Sequence, residues 1–416
     1  MKFSQKSLFL ILLPAILIRL FLMFFTYHPD LAGQSLSSYF FASDNIVNIY
    51  DYLLKLSPDH PLVKNFGVGD IFIYPPLTYF TLGIFQKLLS PFNIYPFIQN
   101  VMNGVNIYSI SDLNTNLFLL KLPYLFIDLL VAYLLTKLFQ TDKQKRLIFI
   151  LWLFNPVTLY TTFCLGVFDI IPVLFTVLSL IFLKKKNPAL GALMLGIGAA
   201  YKMYPIYLLP ILSFANSKNF KDFIKINFIG ILPLILTNLP FIGSSAYRYM
   251  VFSPKSQKML FMEWMMTNAE GIYPFIILTT LLVIFASQKK DLFAKIPAQF
   301  YLIFFLILFS VTHYHPQWFL WITPFILIDL VMNNFKNLWS YLSLFVIYLF
   351  IVFTFENSLS VGLFAVINPN LNQFSGTANL ISKFTDIFTL KSLFRSVFAG
   401  ISLYLSYDLL VKKQTK

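Results

Sequence analysis

The chain has 416 residues, of which 58% are hydrophobic and only 12% charged, and its mean hydropathy is +0.74. That composition excludes an ordinary soluble globule. The net charge of +14 lies in short basic clusters between apolar runs, which excludes the nucleic-acid role such a charge would suggest in a soluble protein, and the single cysteine, Cys164, excludes an intramolecular disulfide framework.

The first apolar run, about 7 to 26, follows Lys2 and Lys6 as a signal peptide would. Arg19 interrupts it and no small-residue cleavage site follows, so the run is predicted to be a retained helix. The next stretch, 27 to 114, is too long for an ordinary connector and carries six acids, Asp30, Asp44, Asp51, Asp59, Asp70 and Asp112, against three lysines. Within it, 75 to 90 is apolar enough to compete as a span. Counting it would invert the sidedness of every later basic cluster, so it is predicted to lie as an interfacial helix at the outer bilayer boundary.

Further spans are predicted at 116 to 138, 147 to 165, 170 to 183, 226 to 243, 272 to 287, 296 to 312, 317 to 333, 339 to 355 and 394 to 411. Between Lys186 and Lys218, both of which favour the cytoplasm, the chain must cross twice in about thirty residues, too few for two full helices of about twenty. Two short or broken helices meeting near Tyr201-Lys202-Met203-Tyr204-Pro205 resolve this, because irregular backbone inside a membrane is tolerated where it lines a protein cavity. The expected fold is an all-α polytopic membrane protein of about 12 transmembrane helices (10 to 13), one integral membrane domain over 1 to 416. The clusters around Lys143, Lys184, Lys218, Lys289 and Lys412, with both termini, are expected on the cytoplasmic side of a plasma or ER-type membrane. The long segments 27 to 114, 244 to 268 and 356 to 392 are then expected to face outward or into a lumen.

A long acidic insert after the first helix is where chemistry is expected. Asp30, in His28-Pro29-Asp30-Leu31, sits where the chain leaves the bilayer; it reads either as a membrane-level catalytic carboxylate or as a solvated helix cap. Asp44 and Asp51 read more simply as caps of short loop helices. Asp169 lies at the outer turn between two tightly coupled spans, where capping the next helix is an equal alternative. Lys202 is embedded in apolar sequence, and an intramembrane lysine is costly unless paired, hydrated or snorkelling. Its expected partner is a lipid phosphate, or else an internal acid such as Asp128 or Asp169. His313 and His315 are too few for a metal site and read as a polar interfacial turn; no metal or cofactor is expected. Asp128 and Asp329, inside spans, are expected to bond neighbouring helices or a polar cavity, and Arg19 to point inward or snorkel.

Several of these segments resemble known membrane enzymes. Tyr74-Pro75-Pro76-Leu77-Thr78-Tyr79 after an acidic first loop, then Ile127-Asp128-Leu129-Leu130, resembles the lipid-linked-oligosaccharide glucosyltransferases of the GT-C superfamily. Asn155-Pro156, the Asp169 turn, Tyr201-Lys202-Met203-Tyr204-Pro205 and Gln317-Trp318-Phe319-Leu320-Trp321 resemble the GPI mannosyltransferase branch. The resemblance runs in order over residues 1 to about 330, and the tail beyond 340 adds only hydrophobicity. It implies that Asp30 is the catalytic carboxylate. The second acid that many members place beside it has no counterpart, since His28, Pro29, Leu31 and Ala32 flank Asp30, which fits a lone general base better than a metal bridge.

The resemblance further implies transfer of a hexose, mannose ahead of glucose, from a polyprenyl-phosphate carrier to a glycan, lipid or protein acceptor on the extracytoplasmic face. Lys202, Asp169, Tyr74, His313, His315, Gln317 and Arg248 are then the expected substrate-binding residues. The chemistry asks for a carboxylate to take the acceptor proton and cations to meet the departing phosphate, and a single carboxylate favours direct inverting displacement. The rival class is a transporter or lipid flippase, which intramembrane lysines and broken helices also suit. Such proteins often show matched halves, and this sequence has no internal repeat.

Overall fold

Proline placement sets many of the helix starts. Pro29, Pro61, Pro76, Pro156, Pro188, Pro274 and Pro297 each occupy a first turn, where a missing N–H costs nothing. Asn48, Thr141, Asn187, Asn219 and Ser244 accept free N–H groups at other starts. The structure, a computed structural model, describes residues 5–67, 71–252, 261–313 and 315–411; Lys2, Asp70, Tyr314, Lys412, Lys413 and Lys416 lie outside the described residues.

After α1 (Gln5–Phe25) comes a group of shorter helices, α2 (Pro29–Ala42), α3 (Ile49–Leu54), α4 (Pro61–Phe66), α5 (Pro76–Leu89) and α6 (Ile94–Met102). The bundle continues with α7 (Leu113–Thr136), α8 (Asp142–Leu153), α9 (Pro156–Thr158), α10 (Ile170–Lys184), α11 (Pro188–Tyr201), α12 (Leu209–Asn216), α13 (Phe220–Asn238) and α14 (Ser245–Val251). It ends with α15 (Pro274–Gln288), α16 (Lys290–Lys295), α17 (Pro297–Val311), α18 (Phe319–Met332), α19 (Leu338–Phe353), α20 (Thr377–Ile381) and α21 (Ile387–Val411). Among the described residues the only strand pairing is the antiparallel ribbon Trp264–Met265 with Gly271–Ile272.

This is the all-α polytopic membrane protein that the hydropathy predicts. Among the described residues, five helical stretches are long and apolar enough to cross a bilayer: Leu8–Phe25, Leu113–Thr136, Asp142–Leu165, Phe220–Phe241 and Ile387–Val411. The shorter α10, α11, α15, α17, α18 and α19 are equally apolar in character. α1 and α13 turn Phe9, Leu10, Leu17, Phe228 and Leu236 outward, as lipid-facing helices do, whereas α17 and α18 are buried along almost their whole length at the centre of the main core. At about 1.5 Å per residue, a helix of 14 or 15 residues reaches only about 22 Å, short of the roughly 30 Å hydrocarbon core. Polar turns at the ends of these central helices are thereby set inside protein, where they need protein partners.

The break expected near residues 201–205 is present. α11 ends at Tyr201, Lys202 is extended (φ −152°, ψ 127°), and a 3₁₀ turn over Tyr204–Leu208 leads into α12. α11 crosses α13 at glycines: a Cβ on Gly196 would come within 1.9 Å of the Gly230 carbonyl oxygen, so a small residue is required there. α5 is a helix as expected, and it packs on α2 and α11. The first-loop helices close over their own hydrophobic core, built from Leu36, Tyr39, Phe72, Tyr79 and Phe97, which Phe241, Tyr247 and Met250 join from the segment after α13.

The charged groups inside spans find partners on neighbouring helices. Arg19 Nε donates to Asp128 Oδ2 (2.7 Å) with both side chains fully buried, and Trp152 Nε1 donates to Asp128 Oδ1 (2.9 Å). Asp329 accepts from Asn333, Tyr341 and Gln299, linking α17, α18 and α19.

Candidate functional site

The first-loop carboxylate is placed by α2. His28 is the N-cap, its Nδ1 accepting the Asp30 N–H at 3.2 Å, and Pro29 takes the first helical position. The Asp30 side chain is therefore not spent on capping. It sits in the first turn and is 37% exposed. Gln317 Nε2, from the 3₁₀ turn that precedes α18, donates to Asp30 Oδ2 at 3.3 Å. Residues 287 positions apart thus meet at one point.

Behind Asp30 lies a buried ion pair. Lys202 Nζ donates to both oxygens of Asp169 (2.8 and 3.0 Å), and Trp321 Nε1 donates to Asp169 Oδ1 at 2.6 Å. Asp169 occupies the N-cap position of α10 but makes no side-chain cap bond, because both oxygens face the ammonium and the indole. The internal acid expected as a partner for Lys202 is Asp169. Its ammonium also lies 5.2 Å from the ring of Tyr74, 5.2 Å from Trp321 and 5.6 Å from Phe168, a three-ring cage in which cation–π attraction offsets lost hydration. Tyr204 and Trp318 both stack on Trp321 and fix the indole.

The Tyr74-Pro75-Pro76 segment positions this cage. Thr78, in the first turn of α5, donates its hydroxyl to the Tyr201 carbonyl (2.7 Å), an oxygen freed by the break after α11. Tyr74 is pinned by Tyr50, whose hydroxyl donates to its carbonyl at 2.6 Å, and its ring meets Phe168 edge-on. Burial first, and then the charges of both Asp30 and Asp169, hold the Tyr74 hydroxyl well above the ordinary phenol range, so it stays protonated between the two carboxylates.

The histidine turn completes the cluster. Burial, then the positive charge of Arg395 and the competing protonation of neighbouring His315, pushes His313 down to about 4. Burial also lowers His315, with Lys202 and Arg395 adding to the effect and Asp30 and Glu356 opposing it. His28 is lowered by burial against the pull of Asp30 and Glu356. All three rings are neutral at pH 7 and able to offer one N–H and one acceptor each. In the unfolded chain they would take up protons near pH 6.5. The unfolded state therefore binds more protons below that value, and stability is expected to fall as pH drops from about 6.5 towards 4. Thermal unfolding of the purified protein across that range checks this, and His313→Gln should flatten the slope; a Tm independent of pH would contradict the burial of these rings.

Asp30, Tyr74, Asp169, Lys202, His313, His315 and Gln317 thus converge, and Arg248 does not. Arg248 is exposed on α14, and its guanidinium donates to the Ile242 carbonyl in its own turn. Three contributors were not singled out from sequence. Lys121 is fully buried in α7 and donates to the Thr26 carbonyl (2.6 Å) and hydroxyl (3.1 Å). It packs against the left-handed Gly166 (φ 69°) that closes a π-helical turn over Leu159–Leu165. As a lysine in a predicted span it carried the same signal as Lys202. Glu356 and Arg395 come from the tail that had seemed merely apolar, yet their charges reach the histidines. Among the described residues, no group of three or more His, Cys, Asp or Glu side chains is arranged to hold a metal ion.

These features define an integral membrane protein whose polar centre lies where a first-loop helix meets the ends of central helices. A family model described as PIG-U, GPI transamidase subunit PIG-U, matches residues 81–266, a stretch that contains Asp169 and Lys202 but neither Asp30 nor the histidine turn. No curated protein and no solved structure matches the chain.

Proposed function

We propose that the protein is a membrane glycosyltransferase that moves a hexose, mannose ahead of glucose, from a polyprenyl-phosphate carrier to an acceptor hydroxyl on the extracytoplasmic face, with residues 27 to 114 as the catalytic loop. The observation that carries this reading is the Asp30 carboxylate: partly exposed, at a helix N-terminus, free of capping duty and oriented by Gln317. The acceptor O–H gives its proton to Asp30 as its oxygen bonds the anomeric carbon. The bond from that carbon to the phosphate oxygen breaks, its electron pair leaves with the polyprenyl phosphate, and the configuration inverts. A monophosphate leaving group is met by the N–H groups of neutral His313 and His315 and by the charge of Arg395 beside them. Lys202, held by Asp169, acts from behind by fixing Tyr74 and Trp321.

A second reading is favoured by the family match, which covers the Asp169–Lys202 pair and leaves out Asp30. In that reading the chain is a non-catalytic subunit that recognises a glycolipid within a transamidase-type membrane assembly. Sealed vesicles containing the purified protein, given radiolabelled mannosyl and glucosyl polyprenyl phosphates and an impermeant glycan acceptor on one side, separate the two. Label transferred to acceptor on the extracytoplasmic side alone supports the enzyme. Glycolipid binding without any transfer supports the subunit, and solute flux without transfer would revive a transporter.

A further inference from the structure

A pocket of about 340 Å³ opens at the far end of α2 from Asp30, between the C-terminus of α2, α3, the start of α4 and α6. At about 1.5 Å per residue the 14-residue helix sets its ends roughly 20 Å apart, so one sugar could not occupy both places. The pocket is built unlike the apolar gap between Leu31, Leu36, Phe97 and Leu117 in the first-loop core. Phe40 and Tyr52 form an aromatic wall with ring centroids 4.6 Å apart. Facing it are Asp44, His60, Gln99 and Asn103, four side chains with planar donor and acceptor groups. Gln99 Nε2 donates to the buried Tyr39 hydroxyl at 2.7 Å, which leaves its carbonyl oxygen to a ligand. His60 Nδ1 accepts the Leu62 N–H at 3.2 Å, which leaves Nε2 as the nitrogen that can donate to a ligand. The Asp44 charge bears on Tyr52, whose hydroxyl is raised first by burial and then by that carboxylate.

We propose that this pocket is a saccharide-binding site that holds a distal sugar of the acceptor glycan while the reacting hydroxyl lies near Asp30. A hexose presents an apolar C–H face and a ring of hydroxyls that each both donate and accept, and the pocket offers an aromatic wall for the first and mixed carboxylate, amide and imidazole groups for the second. Its volume falls at the lower end of small-molecule sites. The assignment of the sugar to an acceptor rests on the transferase reading; the binding itself does not.

Full-length protein in detergent, titrated with mannotriose and with maltotriose and followed by saturation-transfer difference NMR, tests it without any donor present. At least one trisaccharide is expected to bind, with Kd raised about tenfold or more in Gln99→Ala and in Tyr52→Ala, about what one lost hydrogen bond or stacking contact is worth. Asp30→Asn should bind unchanged. Gln99 is exposed, so its variant is expected to keep the fold, and Asn103→Ala at a second exposed position serves as a check. Absence of binding by either trisaccharide, binding that the pocket variants leave intact, or binding lost only in Asp30→Asn each overturns the proposal. Binding that tracks the pocket in a protein that transfers no sugar would refute the role of Asp30 and still uphold the site.

Discussion

Asp30→Asn is expected to lower hexosyl transfer about a hundredfold or more, the usual cost of removing a general base, with no change in Tm. The fold should survive because the cap of α2 is supplied by His28 and the Asp30 side chain is 37% exposed. Asparagine keeps the shape and still accepts from Gln317 through its carbonyl oxygen, so what is lost is the negative charge and the basicity that goes with it. The loss should appear in kcat, since the proton is taken in the transition state and not on binding. A well-folded Asp30→Asn protein with near-normal transfer would remove the base from this position. Transfer absent in both wild type and variant would favour the glycolipid-binding subunit.

The helices were legible because apolar runs and basic clusters constrain one another: a segment of thirty residues expected to cross twice has to break, and the break falls where Tyr201 and Lys202 were expected to mark it. The individual site residues were also legible as polar groups in costly places. What sequence could not give was their pairing. Lys202 and Asp169 are 33 residues apart and Gln317 and Asp30 are 287 apart, separations that carry no local periodicity from which contact could be read. Lys202 therefore read as well with a lipid phosphate as with an internal acid. Arg248 was drawn in by its predicted outer-side location, but α14 packs against α3 and its guanidinium donates to the Ile242 carbonyl. Arg395 was passed over because α21 looks like an undifferentiated apolar span, and only the tertiary fold turns it towards the histidines.

Lys202→Met is expected to destabilise the protein, by about 3–5 kcal/mol, the usual cost of stripping one partner from a buried ion pair. The Asp169 carboxylate is 1% exposed and would keep only the Trp321 indole as a donor, while the aromatic cage would lose the cation it surrounds. Thermal unfolding in detergent should show Tm falling by about 5 °C or more. Asp169→Asn in the same chain removes the orphaned charge and still accepts from Trp321, so the double variant should recover much of the loss, a coupling that a double-mutant cycle measures directly. Transfer kinetics on the refolded background then separate structure from recognition. If Lys202 acts only through Asp169 and Trp321, the double variant regains its donor KM together with its Tm. If the ammonium reads the carrier phosphate, Tm returns but donor KM stays raised. A Lys202→Met protein with unaltered Tm would show that the pair contributes nothing to the fold, and would return Lys202 to the ligand.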